Sequence, residues 1–382
     1  MSNWPRVKLR ELCSKIGSGA TPHGGAAVYI DAGTSLIRSQ NVYNVKFEYE
    51  GLAHITADAA KRLDGVTVEP GDVLLNITGD SVARTCVVPD NVLPARVNQH
   101  VAIIRADPER LDYRYLNYYL ASPFMQAHML GLAVGKGASR NAITKAMIEN
   151  FSIPLPPLPE QRRIADILSA YDDLIDNNRK QIKLLEEAAQ RLYKEWFIDL
   201  RFPGHEHTPI VNGIPAGWKK TLLANLVEIK YGKDHKGIAD GNIPVYGSGG
   251  LMRKCCKALY VGEAVLIPRK GSLNNIMYVN EAFWTVDTMF YAIPKWTSLG
   301  FCVYFFLRTL DMYSLDIGSA VPSMTTSILN SLEMLLPAPD SLEKFQQAVY
   351  VYFQQISLRR HQNDELTEAR DRFLGKLLCC NG

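Results

Sequence analysis

What the chain lacks narrows it first. No run of eighteen apolar residues occurs, so nothing in the sequence reads as a membrane span. The opening MSNWPRVKLREL carries no apolar stretch of the kind a secretory signal needs, which makes a cytoplasmic protein the expectation. The seven cysteines, Cys13, Cys86, Cys255, Cys256, Cys302, Cys379 and Cys380, form an odd set without framework spacing. Adjacent pairs lack the two-residue gap of zinc and redox motifs, so free thiols in a reducing compartment are expected. Excess charge is scarce too: 42 Lys+Arg against 39 Asp+Glu leave +3, which is less than the usual footprint of an autonomous nucleic-acid binder. Residues 1–157 hold 16 cations against 14 anions and residues 201–340 hold 13 against 11. Any basic surface has to be made by folding, or completed by a partner.

Catalytic signatures are missing as well. Gly17-Ser18-Gly19, Gly135-Lys136-Gly137 and Gly247-Ser248-Gly249 each start a dinucleotide-binding pattern, but Pro22, Arg140 and Met252 stand where its third glycine belongs. The run from Gly131 to Lys136 is one residue short of a phosphate-binding loop. There is no H-E-x-x-H and no G-x-S-x-G, and without an Asn-Pro dipeptide there is no Asn-Pro-Pro-aromatic clamp of an amino-methyltransferase. Eight scattered histidines offer no triad and no metal set. Catalysis by this chain alone is not expected.

What is present is a repeat. Residues 142–168 align without a gap on residues 323–349, so that Ile143 falls on Met324, Thr144 on Thr325, Phe151 on Leu332 and Pro156 on Pro337. Further on, Tyr171 falls on Tyr352 and Ile175 on Ile356. Identity is modest but the apolar spacing survives, as a shared structural role requires. Upstream, Trp4, Leu9 and Leu12 recur with the same offsets as Trp218, Leu223 and Leu226. Between these landmarks lie short strand-like runs punctuated by glycine, TSLIRSQNV, GDVLLNITGD and VNQHVAIIRAD in one half, IPVYGSGG, GEAVLIPRKGS and WTVDTMFYAIP in the other. Each half also holds an aromatic-rich stretch, at 113–122 and 301–311, whose nearly continuous apolar residues read as a core helix rather than a stacking platform. The chain is one plan used twice: a mostly β lobe followed by a long helix.

The helix is announced by IPLPPLPEQ at 153–161, where four prolines in six residues stop the preceding structure, with helix expected from Glu160. Ile164, Leu168, Tyr171, Ile175, Asn178, Ile182, Leu185, Ala189, Leu192 and Trp196 then alternate steps of four and three, a coiled-coil seam with one polar interruption. The second seam reads Phe345, Val349, Tyr352, Ile356, Arg359, Asn363, Leu366, Arg370, Phe373 and Leu377 and is weaker, with three polar positions. Each seam needs a partner, and the simplest is the other one, antiparallel, about a pseudo-two-fold axis. In the central register Asn178 faces Asn363, a buried amide pair that fixes register at some expense of stability; the alternative is a solvated Asn178 at a bulge. Thirty-odd helical residues at about 1.5 Å each give a rod on the order of 50 Å, longer than one turn of B-DNA at roughly 34 Å.

These features together, the Trp-x4-Leu-x2-Leu opening, the GDVLLNITGD strand and turn, the hinge PLPPLPEQRRIADIL at 154–168 and a helix ending KEWF, resemble the specificity subunit of type I restriction-modification systems. The likeness spans essentially the whole chain; the second hinge departs from it, with Ser341-Leu342 where the first has Glu160-Gln161. The resemblance implies an α+β fold with two mostly β target-recognition domains, at 1–157 and 201–340, joined by antiparallel coiled-coil spacer helices at 158–200 and 341–382. It implies a non-catalytic subunit that reads a bipartite double-stranded DNA target and scaffolds two methyltransferase subunits, with restriction subunits as further partners. S-adenosylmethionine and ATP would sit on those partners, and no cofactor or metal on this chain. A protein–protein scaffold without DNA contact remains the rival reading.

Residue type and position nominate the contacts, since base edges are read by Arg, Lys, Asn, Gln, Ser and Thr, and phosphates by cations and backbone amides. In the first lobe these are Arg38, Ser39, Gln40, Asn41, Thr78 and Arg84, with Lys136, Ser139, Arg140 and Asn141 in a glycine-rich loop whose bland alternative is a solvated helix cap. In the second they are Lys230, Lys233, Lys236, Tyr246, Ser248, Arg269, Lys270, Ser272, Asn274 and Asn275. The pair Arg269-Lys270 sits where the first lobe has its Thr-Gly-Asp turn, which suggests a phosphate clamp.

Overall fold

Each lobe is closed at its root by its own two ends. In the first, strand Arg6–Lys8 pairs antiparallel with Ser152–Pro154, with Lys8 opposite Ser152. In the second, Lys219–Leu222 pairs antiparallel with Glu333–Leu336, with Leu222 opposite Glu333. Leu9 N then donates to Phe151 O at 3.0 Å and Leu223 N to Leu332 O at 2.8 Å, so the repeat seen in sequence has the same register in space. The structure is a computed structural model that describes residues 4–134, 142–315 and 323–378. It divides into two compact units, one of residues 1–178 with 361–382 and the other of residues 179–360. Each unit therefore holds one lobe and a portion of both long helices.

In the first unit a four-stranded sheet runs in the order Thr85–Val87, Val73–Asn76, Val101–Ala106, Cys13–Ser18. Side chains alternate across a strand, and here both faces are covered. Val73, Leu75, Ala102 and Ile104 join a core with the helix Tyr113–Ala121, while Leu74, Val101 and Ile103 join another with Ile37 and Val97. That double burial explains why Val73, Leu74 and Leu75 are apolar without alternation. A five-stranded sheet holds Thr34–Ile37 beside Ala95–Val97. In the second unit a six-stranded sheet contains the matching order, Met277–Thr285, Tyr260–Pro268, Met289–Pro294, Val227–Tyr231. Val265 and Ile267 face the core of the helix Gly300–Thr309, and Ala264 and Leu266 face the other side. Both aromatic stretches are core helices.

The first long helix spans Leu158–Tyr193 and continues as a π turn, Lys194–Ile198. It begins two residues before the expected Glu160, because Pro159 falls in the first turn, where a missing N–H leaves no bond unmade. Gln161, almost wholly buried, locks this start: its Oε1 accepts from Asp112 N at 2.9 Å, and its Nε2 donates to Arg110 O at 3.0 Å and Pro156 O at 2.9 Å. The second long helix, Pro339–Leu378, has buried Leu342 in the corresponding place. The short helices before each hinge are capped alike, Thr144 Oγ1 accepting from Met147 N and Thr325 Oγ1 from Ile328 N, both at 3.3 Å.

Within each unit the two long helices run antiparallel. In the first, Ile164 and Leu168 are buried with Leu374, Arg370 Nη1 meets Asp172 Oδ1 at 2.6 Å, and Asn178 Nδ2 donates to Asn363 Oδ1 at 2.9 Å. In the second, Tyr193 and Phe197 pack on Phe345, with ring centroids 5.9 Å and 4.7 Å away, and Arg359 donates to Gln181 Oε1. The three polar positions that weakened the second seam are thus matched: Arg359 with Gln181, Asn363 with Asn178, Arg370 with Asp172. The side chain of Leu377 lies outside the described residues. Leaving one amide of the Asn178–Asn363 pair unpartnered costs more than replacing both. Asn178→Leu alone is expected to lower stability by about 1–2 kcal/mol, and the double variant with Asn363→Leu to recover it or exceed the parent; denaturant unfolding of all four proteins of the cycle checks this.

Candidate nucleic-acid interface

A cleft of about 510 Å³ opens in the first lobe, lined by Ser39, Gln40, Tyr43, Thr78, Asp80, Ser81, Arg84 and His100. Its floor follows from the sheet order. Strand Thr34–Ile37 runs parallel to Ala95–Val97, and Asn98 N donates to Ile37 O at 3.0 Å, so the chain leaves the sheet at Arg38 and turns as the 3-10 segment Ser39–Asn41. The turn containing Thr78 is held from behind by Ile143 N donating to Ile77 O at 2.8 Å. Of the residues nominated from sequence, Ser39, Gln40, Thr78 and Arg84 line this one cleft. Arg84 lies over the ring of Tyr43, 4.5 Å from its centroid, which presents the guanidinium as a fixed plane. Thr78 Oγ1 and His100 Nδ1 are 2.6 Å apart, and His100 Nε2 is 3.1 Å from Gln99 Nε2. The lining therefore mixes fixed donors and acceptors, the chemistry that reads base edges. Tyr43, Asp80, Ser81 and His100 were not nominated, and an exposed tyrosine at the end of the two-residue strand Val42–Tyr43 carries no local signal that would single it out.

Two first-lobe assignments need correction. Asn41 has 0% exposure and cannot reach a ligand: its Oδ1 accepts from Arg38 N at 3.0 Å and its Nδ2 donates to Glu48 O at 2.9 Å, so it builds the turn instead. Arg38 turns away, its Nη2 donating to Gly51 O, which Gln40 Nε2 also reaches at 3.2 Å. Lys136, Ser139, Arg140 and Asn141 lie outside the described residues.

The second lobe places an equivalent pair of segments together. Strand Ile243–Gly247 runs parallel to the end of Met277–Thr285, and Val286 N donates to Tyr246 O at 3.0 Å, which makes Ser248 the counterpart of Ser39. Met324 N donates to Arg269 O at 2.8 Å, as Ile143 N does to Ile77 O, which makes Lys270 the counterpart of Thr78. Arg269 and Lys270 N both donate to Thr288 O, at 2.8 and 3.3 Å. The Arg269 guanidinium stands 5.6 Å from the ring centroid of Tyr231, and Lys270 and Ser272 are exposed. Lys233 and Lys236 are exposed on the loop after Tyr231, with Lys233 N tied to Thr285 O at 2.9 Å.

Three second-lobe assignments change. Lys230 precedes Tyr231 on one strand and so projects from the opposite face to the one under Arg269, where it meets Glu228 at 3.3 Å. Tyr246 takes the place that Ile37 has in the first lobe; its hydroxyl donates to Glu281 Oε1 at 2.8 Å, and burial next to that carboxylate raises its pKa above the ordinary tyrosine value. Asn274 ties the turn inward, accepting from Met312 N at 2.8 Å and donating to Asp311 at 3.3 Å.

Among the described residues no group of three or more His, Cys, Asp or Glu could hold a metal, and no helix is long and apolar enough to cross a membrane. Cys13, Cys86, Cys255, Cys256 and Cys302 are free thiols; burial pushes the pKa of Cys13 and of Cys86 up to about 12, well away from the thiolate form a nucleophile needs. Cys379 and Cys380 lie outside the described residues.

Comparison with known proteins places these lobes. Residues 1–187 match the family model of the type I restriction modification DNA specificity domain. The type I restriction enzyme MjaIX specificity subunit of Methanocaldococcus jannaschii is 24% identical over 98% of this chain and 93% of its own length. The MjaVIII specificity subunit of the same organism is 38% identical over 26% of this chain and 24% of its length. A crystal structure of the type I restriction-modification S subunit from M. genitalium has the same fold, with a TM-score of 0.59 at 17% identity, covering 98% of this chain and 96% of that one. The chain belongs to the family of specificity subunits of type I restriction-modification systems. Subunits of this family are non-catalytic, and the chemistry resides on other subunits of the complex.

The turn beside Ser248 gives a local test of this geometry. Gly271 has φ +84 and a Cβ there would come within 2.8 Å of Ser248 Oγ, whereas a Cβ at Gly79, at φ +78 in the first lobe, would meet nothing within 4 Å among the described residues. Gly79→Ala is expected to lower stability by about 1 kcal/mol, the left-handed backbone cost alone, and Gly271→Ala by more; thermal unfolding of the two variants side by side checks the order.

Proposed function

We propose that this chain selects a DNA target in two separated parts, each lobe reading one, and that it assembles with two methyltransferase subunits that modify adenine, joined in the restricting complex by nuclease subunits. S-adenosylmethionine and ATP are taken by those partners, in the cytoplasm, and this chain contributes position and choice of site. The observation that supports the reading is the pair of equivalent segments in the two units, Ser39 beside Thr78 and Ser248 beside Lys270, carrying different side chains on the same backbone frame. A duplicated frame with different lining suits two different half-sites. The lining divides by role: Ser39, Gln40, Thr78 and Arg84 offer base-reading groups, while Arg269 and Lys270 suit phosphate. The near-zero net charge fits a subunit whose affinity is completed by partners.

The deciding experiment is to map adenine methylation genome-wide in cells that carry the methyltransferase subunits with and without this chain. A split motif, two short specified stretches around an unspecified spacer, is expected only with it; methylation that is unchanged, or that follows one unbroken motif, would overturn the reading. Replacing Arg269 and Lys270 with alanine should weaken binding by the assembled complex and reduce the slope of log K against log salt by about 0.9 for each phosphate that is no longer neutralised. An unaltered slope in a filter-binding salt titration would remove the phosphate role of this pair.

A further inference from the structure

Equivalent serine carbonyls in the two lobes are held by asparagines that are not equivalent. Asn76 Nδ2 donates to Ser39 O at 2.9 Å, and Asn275 Nδ2 donates to Ser248 O at 2.8 Å. Ser39 and Ser248 occupy the same place, two residues beyond the residue that accepts from the neighbouring strand, Ile37 in one lobe and Tyr246 in the other. The asparagines arrive from different directions. Asn76 ends the strand that precedes the Thr78 turn, whereas Asn275 follows the Lys270 turn. Two unrelated positions thus supply one bond to one backbone atom.

The first clamp is tight. Asn76 has 0% exposure, and its Nδ2 reaches Val42 O at 3.3 Å as well as Ser39 O, so one amide spans both ends of the turn Ser39–Asn41. Among the described residues its Oδ1 has no hydrogen-bond partner, and the side chain is held by its donor side. The second clamp acts on a glycine-rich hairpin corner, Gly247-Ser248-Gly249-Gly250, where Gly247 and Gly250 face each other across antiparallel strands and Ser248-Gly249 forms the turn. Asn275 joins that corner to the turn carrying Arg269 and Lys270.

We infer that Asn76 and Asn275 are the positioning residues of the two reading segments, each fixing the frame of the backbone at its serine and thereby the base preference of one half-site, without touching DNA. The inference rests on the bipartite reading proposed above. Base discrimination by side-chain hydrogen bonds depends on donors placed within a few tenths of an ångström, so a segment released from its clamp keeps its chemistry and loses its aim. Removing the donor does not abolish the fold around Ser248, because Asn275 is only half-buried and water can take the carbonyl in its place.

The test uses the chain assembled with its methyltransferase subunits on a DNA library randomised in both half-sites, with the methylated molecules sequenced. Asn275→Asp, which keeps the shape and removes the donor, is expected to reduce the preference for the favoured base by on the order of ten-fold at one or more positions of one half-site. Asn76→Ala is expected to do the same to the other half-site, and Asn275→Gln, which keeps an amide, to restore part of what Asn275→Asp loses. Should Asn76→Ala fail to assemble, the Asn275 pair decides alone. Preferences that stay within two-fold of the parent, or that decline equally in both half-sites, overturn the inference. A parent complex that shows no split preference at all overturns the bipartite reading itself, which keeps the two failures apart.

Discussion

The closure of each lobe by its first and last strands governs how every other part of this protein can be arranged. Arg6–Lys8 against Ser152–Pro154, and Lys219–Leu222 against Glu333–Leu336, are backbone pairings, and backbone hydrogen bonds are indifferent to the side chains they carry. What lies between the closing strands can therefore diverge while the root stays the same. The hinge prolines follow at once, and the long helix starts where the lobe ends. Each lobe behaves as an insertion whose two ends meet at one place, and a lobe attached in that way can change its specificity without disturbing what holds it.

The helices anchor the lobes in turn through packing. In the first unit Ile164, Ala165 and Leu168 share a core with Tyr115 and Tyr119 of the lobe and Leu374 of the second long helix. In the second, Ala189, Tyr193 and Phe197 share one with Phe301 and Phe305 and with Phe345 and Val349. The aromatic helix of each lobe is thus the wedge that joins its sheet to the helix pair. Because these rings sit on the face of the sheet away from the second core, the loops at the strand ends, where Ser39 and Thr78 or Ser248 and Lys270 lie, remain free to vary. Difference between the lobes is concentrated where reading is proposed, and sameness where they are anchored.

Several elements were legible in the sequence because they depend on periodic burial. The seam from Ile164 to Trp196 names its own helix, and the offset between the two seams names the opposition of Asn178 and Asn363, since two apolar stripes of equal length have few registers that bury both. The polar positions Arg359 and Arg370 are defects in one dimension; in three they meet Gln181 and Asp172. The candidate interface was legible only in part. Ser39, Gln40, Thr78 and Arg84 could be chosen by type, but Asn41, Lys230, Tyr246 and Asn274 were chosen by the same criterion and are occupied by the fold or face elsewhere. A polar side chain that reads a ligand and one that ties a turn have the same composition, and only their partners distinguish them.

The duplicated plan, the two long helices, their antiparallel opposition and the absence of catalytic motifs are written in residue order, because periodic apolar spacing and missing motifs are properties of order along the chain. Which polar residues are available was settled in three dimensions. Residues 39 and 78, or 248 and 270, become neighbours only when parallel strands and a closing bridge bring their turns together, and an asparagine becomes a clamp rather than a contact only when a carbonyl from a distant segment arrives within 3 Å of its amide. Such meetings are set by the folding of whole sheets, which no local pattern encodes.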